Sequence, residues 1–282
     1  MSERVALAAR DGVRLGATLF RPQTSNRRAL ALLAAAGVPQ EYYARFAAYL
    51  AERGFGVLTF DYRGIGRSRP ARLRGYRARM RDWALLDAPA ALDHLERAAP
   101  DARLMAIGHS VGGVSLGLVP GAARLRAALT VGSQNAYWRN WPPLGRAWMW
   151  PAVHLVLPLL PRLLGYLPSK RLGLGEDLPA GVAIEWARWC RDPQYLVGAL
   201  GARQSYAGFT APLRAYAIAD DRFAPVRAVE GLLALYPAAR AELRRVAPRD
   251  LGVDSIGHFG FFRERFRDSL WREAADWLAA QD

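Results

Sequence analysis

Few side chains can attack a carbonyl carbon, and one serine of this chain stands in a context that suits the task. In Leu104-Met105-Ala106-Ile107-Gly108-His109-Ser110-Val111-Gly112-Gly113 a short apolar run ends in Gly-His-Ser-Val-Gly, and small residues follow. The pattern predicts a buried strand, a sharp turn at Ser110 and a helix. Such a turn strains the serine backbone and crowds its neighbours, so Gly108 and Gly112 supply the room. A second match, Gly113-Val114-Ser115-Leu116-Gly117, lies five residues on. Ser115 would sit more than a turn inside the helix and reads as a small packing residue. Ser110 is therefore the candidate nucleophile, forming a covalent acyl intermediate.

A serine hydroxyl needs a base, most often histidine, and the chain has four. His109 adjoins Ser110, and its side chain leaves the turn in another direction. His94 lies on a helix, and His154 lies in a tryptophan-rich segment. His258, in Gly257-His258-Phe259-Gly260, sits in a predicted loop after the last strand, where an imidazole can hang over Ser110. The base needs an acid to fix its tautomer. Asp220 and Asp221 follow a predicted strand between Ser110 and His258, whereas Asp177, Asp192, Asp250 and Asp254 do not stand at strand ends.

The elements that must position these groups alternate. Val5–Ala9, Asp11-Gly12 and Leu15–Phe20 predict a hairpin. Leu30–Leu33, Val57–Phe60, Arg103–Ile107, Ala127–Val131, Leu213–Ile218 and Ala241–Val246 predict strands. Between them come helices over Glu41–Arg53, Asp82–Ala98 and Val226–Leu235, with a last helix over Phe262–Ala280. Pro89 should kink or restart the second of these. Alternation of this kind predicts an α/β fold with a mostly parallel sheet covered on both faces, and functional groups at the carboxyl ends of its strands. Val38, Arg63 and Ser110 all follow strand ends and should share one edge.

From Ser133 to about Pro212 the texture changes. This stretch holds six of the nine tryptophans, at positions 138, 141, 148, 150, 186 and 189, and no clear strand. It predicts a helical cap over residues 133–212, inserted in a core of residues 1–132 and 213–282. Its apolar residues either form the cap's own core or line an apolar pocket. Within it, Pro151–Pro168 is the most apolar run, but its four prolines make it too broken to span a bilayer.

Composition narrows the class. At 282 residues, 52% hydrophobic and 23% charged, the chain is globular. The single cysteine, Cys190, excludes an internal disulfide and reads as a packing residue. No signal peptide precedes the first strand, so the expectation is a cytoplasmic protein without stable membrane insertion. Net charge is +14, with Lys170 the only lysine among 39 basic residues. Most arginines are scattered and no nucleic-acid-binding signature accompanies them, which argues against a nucleic-acid partner. The run Arg67, Arg69, Arg72, Arg74, Arg77, Arg79 and Arg81 is either a solvated loop or a cationic rim. No phosphate-cradling glycine motif occurs, and neither cofactor nor metal is implied.

With these residues in place, the chain resembles an α/β hydrolase, closest to capped bacterial hydrolases related to serine aminopeptidases and monoacylglycerol lipases. The likeness rests on Asp61-Tyr62-Arg63-Gly64-x-Gly66-x-Ser68, on Gly108-His109-Ser110-Val111-Gly112-Gly113, on Asp221-x-x-x-Pro225 and on Gly257-His258. The chain order Ser, Asp, His is that fold's order. The resemblance implies Asp221 as the acid, because the family's acid stands four residues before the proline; Asp220 is then a turn-capping carboxylate. It also implies an oxyanion hole at the backbone amides of Val38 and Val111. The family's His-Gly after the third strand is replaced here by Ala36-Gly37. The expected substrate is a small-molecule carboxylic ester with an apolar acyl part. Thioesters, amides, lactones and acyl transfer stay open on the same triad, as do a non-catalytic binder of apolar ligands and homo-oligomerisation.

Overall fold

The computed structural model describes residues 1–281. In chain order its strands are β1 (Ser2–Ala8), β2 (Arg14–Phe20), β3 (Arg28–Leu33), β4 (Gly56–Phe60), β5 (Arg103–His109), β6 (Ala127–Val131), β7 (Tyr166–Leu167), β8 (Leu178–Pro179), β9 (Leu213–Ile218) and β10 (Ala241–Val246). Eight of them form one sheet in the order β1-β2-β4-β3-β5-β6-β9-β10. β1 pairs antiparallel with β2, and β2 antiparallel with β4. Every other pair in the sheet is parallel. The hairpin joining β1 and β2 turns through Gly12, at φ 84°, where a side chain would be strained. The central strands are mostly apolar because helices cover both faces. Every residue of β6 is buried, as is all of β5 after Arg103.

Helices fall where the sequence predicts them, with local departures. The segment after β3 opens with a tight turn, Gln40–Tyr43, before the α-helix Ala44–Glu52. The segment before β5 carries a π-helical stretch, Trp83–Asp87, and then the α-helix Ala88–Ala98. The helix after Asp221 is Val226–Leu233. The last helical segment is not continuous: a short turn at Glu264–Phe266 leads through a π stretch, Arg267–Trp271, into Arg272–Ala279.

Between β6 and β9 the chain leaves the sheet and builds an inserted helical region. Contrary to the expectation of a broken segment, residues Pro143–Leu164 run as one helical rod of 22 residues, long and apolar enough to cross a membrane by length and composition. Its prolines are accommodated rather than disruptive, for a π stretch at Ala152–Val156 precedes Pro158. One side of the rod is buried through Met149, Val153, Pro158 and Pro161. The region also contains a strand pair that the sequence did not signal, β7 with β8. The helix Ala180–Arg191 follows it. The tryptophans differ in burial: Trp141 and Trp189 are buried, whereas Trp148 and Trp150 are exposed.

Candidate active site

Ser110 follows β5 with φ 51° and ψ −121°, a conformation rare outside glycine. Three local features hold it there. Its amide donates to the carbonyl of Val131 at 2.9 Å, which ties the turn to β6. Its carbonyl accepts from the amides of Gly113 and Val114, both at 3.1 Å. The glycines permit the packing: a Cβ on Gly108 would lie 2.2 Å from the Gly113 Cα, and one on Gly112 would lie 2.2 Å from the Leu33 carbonyl oxygen. Ser115 takes the packing role. It is buried, and its hydroxyl donates to the Val111 carbonyl at 2.8 Å, one turn back in the helix.

His258 and Asp221 meet at the same edge. Asp221 Oδ2 lies 2.7 Å from His258 Nδ1, with both residues buried. The other carboxylate oxygen, Oδ1, accepts from the amides of Phe223 at 2.8 Å and Ala224 at 2.9 Å. These bonds fix the carboxylate and supply partners for its charge away from water. Asp220 turns the other way. It accepts from the amides of Ile256 at 2.9 Å and Gly257 at 3.0 Å, and so pins the segment that carries His258. That segment is a single helical turn, Gly257–Gly260, where the sequence suggested an open loop.

Two contributors escaped the sequence reading. Gly132 follows β6 at φ 56°, and a Cβ there would lie 3.1 Å from both Asp221 Oδ2 and His258 Nδ1. A side chain at this position would push on the bond between them. A glycine directly after a predicted strand was the only signal. The second is a chain of hydrogen bonds behind the turn. The Ala35 amide donates to the Tyr43 hydroxyl at 2.9 Å. The Tyr43 hydroxyl lies 2.8 Å from His109 Nδ1. His109 Nε2 lies 3.0 Å from the His258 carbonyl. A carbonyl only accepts, so His109 carries its proton on Nε2, and Tyr43 donates to Nδ1. His109 touches both the main chain and the ring of His258, with ring centroids 4.9 Å apart. Burial, and then the nearby His258, lower its pKa well below the usual 6.5, which keeps it neutral and able to play this part.

The two oxyanion amides differ. Val111 is the first residue of its helix, where amides have no intrahelical acceptor. The Val38 amide donates to the Ala35 carbonyl at 3.2 Å across the turn through Gly37, at φ 70°. It is thus engaged in a turn in this structure. The Glu176 amide donates to the Gly37 carbonyl at 2.8 Å, so the cap segment lies against this turn.

The loop from Asp61 to Ser68 supports the edge from below. Arg63 is buried; its Nε donates to Asp87 Oδ1 at 2.8 Å, and its Nη1 donates to Asp11 Oδ2 at 2.6 Å. Asp61 accepts from the Gln40 amide at 2.8 Å and from the Arg67 amide at 3.0 Å. Gly66 is required, since a Cβ there would lie 2.5 Å from the Asp61 carboxyl. The arginine run beyond it splits. Arg67 pairs with Glu41, Arg69 with Asp177 and Arg81 with Glu185. Arg72, Arg74, Arg77 and Arg79 are exposed. His94 is half-buried on its helix, and His154 stacks on Trp150 in the cap, ring centroids 5.0 Å apart.

A mostly parallel sheet, a serine on a strained strand-to-helix turn and an inserted helical region define an α/β-hydrolase fold and an enzyme of the serine-hydrolase type. More narrowly, the chain belongs to the family described as serine aminopeptidase, S33, whose model matches residues 25–176. No curated protein sequence matches it. Among solved structures it is similar to an esterase from Pyrococcus furiosus, with a TM-score of 0.65 and 17% identity over 100% of this chain and 91% of that one. A carboxyl esterase from Bacillus coagulans gives a TM-score of 0.63 and 14% identity, covering 98% of this chain and 97% of that one. A monoacylglycerol lipase from Paleococcus ferrophilus gives 0.62 and 15%, covering 95% and 99%. At these identities the likeness is one of fold.

Proposed function

We propose that this enzyme hydrolyses carboxylic esters with an apolar acyl part through an acyl-enzyme on Ser110. The observation that carries the reading is the 2.7 Å bond between Asp221 and His258 Nδ1 at the edge where Ser110 stands. That bond places a proton on Nδ1 and leaves Nε2 to take the serine proton as Ser110 Oγ attacks the ester carbonyl. The tetrahedral oxyanion forms beside the Val111 amide; Val38 joins it by exchanging its turn bond for the new acceptor. Protonated His258 then passes its proton to the departing alkoxide, the C–O bond breaks, and an alcohol leaves. Water, deprotonated by His258, attacks the acyl-serine and restores the hydroxyl with release of the acid.

An ester is favoured over a peptide with a free amino terminus. Recognition of an α-ammonium needs a carboxylate near the site, and the carboxylates close by are engaged. Asp221 and Asp220 are bonded as above, and Glu176 Oε2 accepts from the Gly66 amide at 2.7 Å. No acidic residue occurs from Ala102 to Gly175. Apolar surroundings support the acyl preference: the Phe223 ring centroid lies 5.4 Å from that of His258, and Trp148 lies 6.2 Å beyond it. The test is a series of p-nitrophenyl esters of graded chain length set against aminoacyl p-nitroanilides. We expect turnover of the esters, rising with acyl length before it falls, and little of the anilides. Preferential cleavage of the anilides would overturn the ester reading. Failure of a fluorophosphonate probe to label Ser110 would instead favour a non-catalytic binder of apolar ligands.

A further inference from the structure

The outer side of the cap rod is left largely open to solvent among the described residues. Leu144, Trp148, Leu155, Leu159 and Leu163 recur at helical spacing along Pro143–Leu164 and are all exposed, Leu144 by 89% and Leu163 by 76%. A helix on the surface of a globular protein ordinarily turns such a stripe inward. Here the opposite side is already buried through Met149, Val153 and Pro161. The rod is therefore apolar on both sides, and its inward contacts prevent it from crossing a bilayer as a free span.

The charges around it have one sign. The acid-free run from Ala102 to Gly175 includes the entire rod. Exposed cations cluster at its carboxyl end: Arg162, Lys170 and Arg171, with Arg74 packed beside Gly165. The side chains of these four form no ion pair among the described residues, in contrast to neighbouring Arg69 and Arg81. A second copy docked by the same face would set cations against cations, because an isologous contact pairs a patch with itself. Exposed leucines, tryptophans at the boundary and unpaired basic residues instead match a helix lying in the plane of a bilayer interface.

We propose that the outer face of the cap rod docks on membranes containing anionic phospholipid, with the leucine stripe at the acyl boundary and the basic cluster on the headgroups. Trp148 belongs to this face and also touches Phe223, which lies against His258. The docked face therefore reaches His258 through the contacts of Trp148 with Phe223 and of Phe223 with His258.

The test is vesicle flotation with the full chain. Vesicles of phosphatidylcholine alone are compared with vesicles of phosphatidylcholine and phosphatidylglycerol. Wild type should float with the anionic vesicles and at least tenfold less with the neutral ones. Leu144→Gln/Leu159→Gln/Leu163→Gln should lose at least tenfold in binding while its hydrolysis of a short soluble ester stays unchanged. Arg162→Gln/Lys170→Gln/Arg171→Gln should weaken binding by roughly fivefold per charge and erase the preference for anionic lipid. Wild type that fails to float, or variants that float as well as wild type, would overturn the proposal. So would sedimentation in which wild type is a dimer and the leucine variant a monomer, with neither bound to vesicles. Flotation does not depend on turnover, so this outcome and the fate of the ester reading are read separately.

Discussion

Two serines in repeated motifs, two adjacent aspartates and two histidines lie near the site, and the structure separates each pair by what its side chain reaches. Ser110→Ala should lower ester hydrolysis by roughly a thousandfold or more, whereas Ser115→Ala, which loses only a bond to the Val111 carbonyl, should keep most activity; initial rates on one soluble ester decide it. Asp221→Asn should reduce turnover by up to about ten-thousandfold, because an amide can hold the imidazole in the wrong tautomer. Asp220→Asn removes one acceptor from the Ile256 and Gly257 amides and should cost more in melting temperature than in kcat. The reverse ranking would exchange the two roles. His109 gives a pH prediction. Its folded-state pKa lies below 6.5, so as pH falls past 6.5 the unfolded chain gains a proton that the folded chain refuses. Wild type should therefore lose stability on acidification by up to about 1.4 kcal/mol per pH unit from this group. Denaturant titrations of wild type and His109→Gln at several pH values should show the gap between them narrowing below pH 6.5. The strand and turn at Ser110, with their glycines, and the strand-end pair Asp220 and Asp221 were legible in the sequence because such positions leave local marks, whereas the choice of Asp221 over Asp220 came from the family resemblance. Gly132 and the contact between His109 and the His258 carbonyl were not, since they depend on strands that meet only in the sheet.

At the level of elements, most strands were legible from short apolar runs, but the interiors of the helices were not. The reason lies in proline. A proline ring collides with the carbonyl four residues earlier, which is Leu85 for Pro89 and His154 for Pro158. Both carbonyls fall inside the π stretches Trp83–Asp87 and Ala152–Val156, where the wider turn makes room for the ring. The chain therefore continues as a helix where the sequence suggested a break. The β7–β8 pair was equally hidden, being two residues per strand and fixed by the elements around it. The loop after β4 is anchored by a buried cation. Arg63→Met would remove the cation beside the carboxylate of Asp87, a fully buried group that burial already pushes up to about 6, and leave it only the amide of residue 63. Leaving it unpaired should cost about 3–5 kcal/mol in denaturant titrations, and Arg63→Met/Asp87→Leu should recover a large part of that loss. A single variant as stable as wild type would show that the pair does not anchor the loop.

For the molecule as a whole, the insertion is fastened to the core at separate places. The Trp141 indole donates to the Arg222 carbonyl at 2.9 Å, one residue from Asp221. Glu176 bonds both the Gly37 carbonyl and the Gly66 amide, bridging the turns after β3 and β4. Arg81 donates to Glu185 on the helix Ala180–Arg191. These ties have a consequence for heat. An insertion joined to its host by two crossing strands of chain alone can melt by itself, whereas one bonded to three core loops exposes their partners as it leaves. The calorimetric enthalpy of unfolding should then equal the van't Hoff enthalpy, in a single endotherm. Trp141→Phe combined with Glu176→Gln, which removes the indole donor and weakens the bridge, should split that endotherm in two, with the first component absorbing the smaller share of the heat.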